Sequence, residues 1–151
     1  MPDQATERTT IDASPASCLE VALAFEAYPL WAHDIKETEV LERDDQGRGL
    51  QVRYRAAAMG RSTTYTLGYD YTEAPQKLSW ELLDSDITRR LEGSYDFAPV
   101  DGDPGRTDVT YELSVELVVP LPGFVKRRAE TRIMHTALRD LKARVEATAV
   151  A

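Results

Sequence analysis

The sequence predicts an α+β fold with the element order β-α-α-β6-α, an antiparallel meander whose apolar face is covered by a long C-terminal helix. Three observations carry this expectation. Five runs between Leu50 and Val119 alternate apolar and polar residues, and only short turns join them, leaving no room for parallel crossovers. The stretch from Phe124 or Val125 to Ala147 has no proline or glycine, and at 100° per residue it gathers Met134, Leu138, Leu141 and Val145 on one side. Near the N-terminus a short polar strand gives way to apolar residues at helical spacing behind a Ser14-Pro15 start signal.

Residues 7–13 (ERTTIDA) read as a Thr-rich, edge-type first strand. Ser14 can cap the following helix, and Pro15 can open it because its missing N–H costs nothing there. Leu19, Leu23 and Ala27, spaced by four, predict a helix over residues 16–27 that Tyr28-Pro29-Leu30-Trp31 breaks. Residues 32–35 are expected as a second short turn or helix, 37–42 as a strand and 43–47 as an Asp- and Gly-rich turn. The meander then begins with Leu50, Val52, Tyr54, Ala56 and Ala58, followed by Tyr65, Leu67, Tyr69 and Tyr71. Its later inward sets are Leu78, Trp80 and Leu82, then Leu91, Gly93, Tyr95 and Phe97, then Val109, Tyr111, Leu113, Val115, Leu117 and Val119. Turns are expected at 59–62, 73–77, 84–86 and 99–106, and Pro120-Leu121-Pro122-Gly123 ends the sheet. In the first turns of the last helix, Arg127, Glu130 and Thr131 point where apolar residues point further along. No repeat, low-complexity stretch or linker interrupts the chain, so residues 1–151 are expected to form one domain.

Charge and composition exclude several function classes. A net charge of −8 argues against a nucleic-acid binder, which needs a basic surface to displace counterions. Residues 1–125 hold 11 Lys and Arg against 23 Asp and Glu, a balance of −12, while residues 126–151 hold 7 against 3, a balance of +4. Most of this asymmetry is expected to be complementarity within the domain. Lys126, Arg127 and Arg128 are left over, at a helix start that disfavours cations, as a weak contact surface for a membrane or a protein. The lone Cys18 forms no internal disulfide, and neither histidine has a partner at metal-ligand spacing. Residues 101–105 lack the calcium-loop pattern and no phosphate-cradling glycine motif occurs, so no metal or cofactor is expected. The polar first ten residues and the lack of a long apolar run lead to the expectation of a cytoplasmic protein.

Ile11-Asp12-Ala13-Ser14-Pro15 enters the first helix, and Phe25-Glu26-Ala27-Tyr28-Pro29-Leu30-Trp31 leaves it. With Val40-Leu41-Glu42 and the Pro-Gly break before the final helix, these segments resemble the SRPBCC or START-like superfamily over nearly the whole chain. The resemblance points in particular to its polyketide cyclase/dehydrase and coenzyme-Q-binding START-type branch. It implies the helix-grip fold, a curved sheet of about seven strands wrapped around the C-terminal helix and enclosing a cavity. The leading function it implies is binding or transport of a hydrophobic or aromatic small molecule such as a lipid, quinone or polyketide-like compound. The alternative is a polyketide cyclase, aromatase or dehydrase in which cavity tyrosines, Arg89 and His135 steer the reaction. A regulatory protein-interaction module is a third reading, since a fold of this kind does not settle function.

Tyr54, Tyr65, Tyr69, Tyr95, Tyr111 and Trp80 fall in the apolar phase of their strands, as pocket lining or as core filling. Arg89 shares the phase of Leu91 and Tyr95, and an inward charge needs a partner, either a ligand oxygen or Glu130; a solvated strand end is the other reading. Arg127 and Glu130, three apart, either pair with each other or orient a ligand at the cavity mouth. Met134 and Leu138 face the cavity from the helix stripe, and His135 flanks it. His33 beside Asp34 has the residue types of a general base, although adjacent side chains usually diverge in a surface turn. Cys18 reads as a small buried residue, not a nucleophile.

Overall fold

The computed structural model describes residues 5–58, 61–118 and 122–149. Strand β1 (Ala5–Ile11) is followed by helix α1 (Pro15–Leu23), a 3-10 turn (Phe25–Ala27) and the short helix α2 (Tyr28–Trp31). Six strands then run consecutively: β2 (Ile35–Arg43), β3 (Gly49–Ala58), β4 (Arg61–Asp70), β5 (Lys77–Ser85), β6 (Thr88–Val100) and β7 (Asp103–Leu117). Helix α3 (Gly123–Ala149) closes the order. The strands form one antiparallel sheet in the spatial order β1-β7-β6-β5-β4-β3-β2, so a six-stranded meander takes the N-terminal strand onto its last edge. This is the α+β helix-grip layout the alternation predicts.

The departures are local and have physical causes. Ser14 caps α1 by accepting the Ser17 N–H at 3.3 Å, as expected. Helix α1 stops at Leu23 because Ala24 leaves the helical region, with ψ at 65°. Pro29 then sits in the first turn of α2, where no N–H is required, so Tyr28–Trp31 is a helix and not a break. Residues 32–35 form the turn of the expected turn or helix, with the Ile35 N–H donating to the Ala32 carbonyl at 3.1 Å as β2 begins. Strands β6 and β7 run on into a tight turn at Asp101-Gly102, with Gly102 at a φ of 76°, so the expected loop over 99–106 is mostly strand. Of the turn expected at 59–62, Met59 and Gly60 lie outside the described residues, as do Val119, Pro120 and Leu121.

The core lies between the inner face of the sheet and α1 and α3. Ile11, Cys18, Phe25, Val52, Leu78, Val109 and Leu113 meet Met134, Leu141 and Val145 there, all fully enclosed. Helix α3 packs against β1, β7 and α1 and meets α2 along its flank. Polar contacts hold its C-terminal half: Asp140 accepts the His33 N–H at 2.8 Å, and Lys142 donates to the Thr10 carbonyl at 2.7 Å. Glu146 accepts the Asp12 N–H at 2.9 Å and Lys142 at 2.6 Å. Among the described residues no ion pair joins a cation of α3 to an acid elsewhere; Arg139–Asp140 and Lys142–Glu146 both lie within the helix. The expected charge complementarity between body and helix is therefore not made by ion pairing. No helix among the described residues is long and apolar enough to cross a membrane.

Two glycines set how closely rings approach the sheet. A Cβ on Gly93 would lie 2.7 Å from the Trp80 ring, its cross-strand neighbour, and one on Gly49 would lie 2.9 Å from Phe25. Replacing Gly93 by alanine is expected to destabilise the protein by about 1–3 kcal/mol through overpacking, measured by denaturant unfolding. The hydrogen bond from Lys142 and the Asp12 N–H hold the Glu146 carboxyl below its ordinary value of 4.5. That contribution is complete above the ordinary value and lost as pH falls through the lowered one. Glu146→Gln is therefore expected to be less stable than the parent at neutral pH, with the difference shrinking on acidification below 4.5, read by thermal melts across pH.

Candidate functional site

Period-two alternation sends Tyr54 (β3), Tyr65 and Tyr69 (β4), Trp80 (β5), Tyr95 (β6) and Tyr111 (β7) to the same inner face. Register pairs them directly: Tyr54 opposes Tyr65, Tyr69 opposes Trp80 and Tyr95 opposes Tyr111. The rings touch in sequence across the sheet. Tyr54 stacks on Tyr65 at 5.3 Å between centroids, and Trp80 lies 6.0 Å from Tyr69, 5.1 Å from Tyr95 and 5.7 Å from Tyr111. Tyr95 and Tyr111 are 4.7 Å apart. The segment before β2 extends this belt, with Phe25 at 4.6 Å from Tyr69 and Tyr28 at 6.1 Å from Tyr54. Phe25 and Tyr28 were not among the expected site residues; their three-residue spacing beside the inward tyrosines was the available signal.

The hydroxyls fall into two groups. Tyr28 donates to the Ala22 carbonyl, Tyr54 and Tyr69 bond each other, and Tyr71 donates to the Gly49 carbonyl at 2.6 Å with the Arg48 guanidinium 4.4 Å from its ring centre. The hydroxyls of Tyr65, Tyr95 and Tyr111 bond no described residue. Among the described residues, no fully occluded side-chain polar atom lacks a partner. These three hydroxyls therefore face space that a water-sized molecule reaches, even though they lie on the sheet's inner wall. Burial, first of all, pushes every one of these phenols above its ordinary value, and the proximity of neighbouring tyrosines adds to the rise at Tyr28, Tyr54, Tyr95 and Tyr111. Burial takes Tyr71 to about 12 against the opposing pull of Arg48. The wall thus presents neutral O–H donors among aromatic faces, suited to an acceptor oxygen on an apolar or aromatic molecule.

The remaining expected residues are placed differently. Arg89 is exposed, not inward, because a register shift between Thr88 and Arg90 interrupts the alternation that ties it to Leu91. Arg127 is exposed and makes no bond to Glu130. Glu130 is instead only 2 % exposed and accepts the Val115 N–H at 3.2 Å, one step beyond the last described β1–β7 pair, Ala5 with Leu113. The carboxylate thus takes over a strand-edge donor, which the helix spacing alone does not reveal. Met134 and Leu138 are buried on the face of α3 toward the sheet, while His135 is exposed and does not line the interior. His33 is exposed, and Cys18 is enclosed with burial raising its thiol. No cluster of His, Cys, Asp and Glu among the described residues can hold a metal ion. A groove of about 800 Å³ also lies on the sheet, lined mostly by polar residues such as Ser79, Glu81, Ser94 and Glu112, with Tyr69 and Trp80 among its lining.

Known proteins share this architecture. A START superfamily protein from Mycobacterium smegmatis superposes with a TM-score of 0.90 at 25 % identity, covering 96 % of this chain and 98 % of that one. The Zhui aromatase/cyclase from Streptomyces sp. R1128 superposes with a TM-score of 0.82 at 16 % identity, over 97 % of this chain and 94 % of that one, a likeness of fold. No curated protein matches the chain in sequence. The family model described as polyketide cyclase / dehydrase and lipid transport matches residues 3–146. With nearly its whole length matched and its strands and helices in the START arrangement, the chain belongs to the polyketide cyclase/dehydrase and lipid transport family.

Proposed function

We propose that the chain, acting as one cytoplasmic domain over residues 1–151, binds a hydrophobic or aromatic small molecule between the sheet and α3 and carries it as cargo. The observation behind this reading is the set of unpartnered hydroxyls of Tyr65, Tyr95 and Tyr111 on a wall of touching rings. An aromatic wall gains from burying a ring or polyene, and neutral donors gain from a carbonyl oxygen that replaces water. A quinone or polyketide-like molecule satisfies both demands, and a lipid with a carbonyl-bearing head satisfies them in part. Tyr54, Tyr69 and Trp80 supply ring contacts, and Met134 and Leu138 close the space from α3. The contact expected at Lys126, Arg127 and Arg128 belongs to delivery of this cargo and not to its recognition.

A second reading, cyclase or dehydrase, is favoured by the same donors, because an O–H aimed at a carbonyl also stabilises the charge that develops on it during cyclisation. It needs a proton acceptor as well. The buried carboxylate on this side of the sheet, Glu130, already accepts the Val115 N–H. The carrier reading therefore leads.

Native mass spectrometry of the purified protein, followed by titration with a panel of quinones, aromatic polyketide mimics and lipids, tests the proposal. The expected result is a bound or titratable ring-bearing carbonyl compound, with Tyr65→Phe, Tyr95→Phe and Tyr111→Phe each weakening it roughly 2- to 10-fold, about the worth of one hydrogen bond. No binding across the panel would overturn it. Turnover of a polyketide mimic that the tyrosine variants abolish would replace it with the enzyme reading.

A pH titration probes the same wall. Folding holds these phenols above the ordinary value of 10, so their contribution is complete below that value and lost as pH rises through it toward the raised values. Tyrosinate absorbance of the native protein is therefore expected to stay low at pH 10 and to rise only together with alkaline unfolding, followed by circular dichroism. Early ionisation of most tyrosines in a folded protein would contradict the buried wall.

A further inference from the structure

We infer that the end of the molecule where α3 begins docks onto an anionic lipid bilayer, through a patch of cations around three projecting apolar side chains. The Glu130–Val115 contact fixes the geometry. From it Phe124 lies about 9 Å along the helix axis, and Val118 lies roughly 10 Å along the antiparallel course of β7. Both therefore project at the same end. Ile87 joins them, because its carbonyl accepts the Val118 N–H at 3.0 Å. Phe124 in α3 is 64 % exposed, Val118 just past the end of β7 is 61 % exposed, and Ile87 in the β5–β6 turn is 39 % exposed. Single apolar tips on three segments form no groove for a peptide, but a planar interface accepts all three together.

The charge on the start of α3 is one-sided. Lys126, Arg127 and Arg128 follow one another at 100° and span about 200° of the first two turns of α3, and Arg132 stands one turn below Arg128. Glu130 is the one acid between residues 123 and 139, and it is enclosed and occupied by the Val115 N–H. No ion pair among the described residues ties these four cations to the acidic body, and Lys126, in the first turn, sits where the helix dipole disfavours a cation. An outside anionic surface supplies the missing counter-charge. Asp84 and Asp86 on the β5–β6 turn oppose it, although Asp86 is already held by the Thr63 hydroxyl and the Thr64 N–H, so the contact is weak and reversible. Docking here places the β5–β6 turn and the start of α3 against lipid, so that an apolar cargo leaves the inner wall without crossing water. This last step rests on the carrier reading; the surface does not.

The test is vesicle flotation of the whole protein with phosphatidylcholine alone and with phosphatidylcholine containing phosphatidylglycerol. The expected result is flotation with the anionic vesicles only, released in roughly 1 M salt, where the Debye length shrinks to about 3 Å. Lys126→Gln with Arg128→Gln and Arg132→Gln is expected to weaken partitioning on the order of a hundredfold. Phe124→Ser is expected to weaken it at unchanged salt dependence, and both variants should melt like the parent. Failure of the parent to bind anionic vesicles at low salt, equal binding to neutral vesicles, or an unaffected triple variant would each overturn the inference; a soluble acidic partner gives the first of these. Cargo binding in vesicle-free solution is scored separately. Flotation without cargo binding leaves the surface standing and removes the carrier, whereas cargo binding without flotation does the reverse.

Discussion

The placement of α3 on one side of the sheet governs the rest of the structure. Seven strands about 4.8 Å apart span roughly 29 Å, whereas a helix with its side chains is about 10 Å across. One helix cannot cover such a sheet. Helix α3 settles on β1, β7 and α1, and the polar contacts from Asp140, Lys142 and Glu146 hold it there. The inner faces of β3 to β6 are left to be covered by curvature, by the short α2 segment and by their own side chains. Large rings are the economical solution, since each fills space with few rotatable bonds. Glycine at positions 49 and 93 then lets Phe25 and Trp80 lie flat on the sheet.

Had filling been the whole demand, phenylalanine would have served at every position. Seven of the rings on or beside this wall are tyrosines, and each hydroxyl carries a hydrogen-bonding requirement into a region poor in water. The structure meets that requirement for Tyr28, Tyr54, Tyr69 and Tyr71 within the protein. It does not do so for Tyr65, Tyr95 and Tyr111 on β4, β6 and β7. A donor set that costs stability when empty and is satisfied by an acceptor-bearing guest has the character of a binding wall.

How much of this the sequence shows depends on whether a residue's setting is local. Strict alternation from Leu50 to Val115 placed every ring of the wall on the correct face, because side-chain period in a strand is a property of the backbone alone. Alternation fails at Arg89, since the register shift beside it depends on how β6 meets β7 and not on the strand alone. Pro29 reads as a breaker from its chemistry, yet it opens α2, a difference decided by where α1 ends. Glu130 looks like half of a surface ion pair until the course of β7 brings an unpaired N–H to it. The charge asymmetry was plain in composition, but only the list of actual partners separates an internal match from an uncompensated surface.

The two halves of α3 divide these tasks. From Met134 onward its inner face is Leu138, Leu141 and Val145, a continuous apolar seam against the core, reinforced by polar contacts to the chain near β1 and α2. Before Met134 the same direction carries Glu130 and then Arg127, so the seam gives out and a single carboxylate bond to β7 remains. A helix with a polar inner face at one end cannot seal apolar surface there, whatever the sheet does. The change from an apolar to a polar inner face is therefore written into the residue types of its first turns, where Phe124, Arg127 and Arg128 stand exposed.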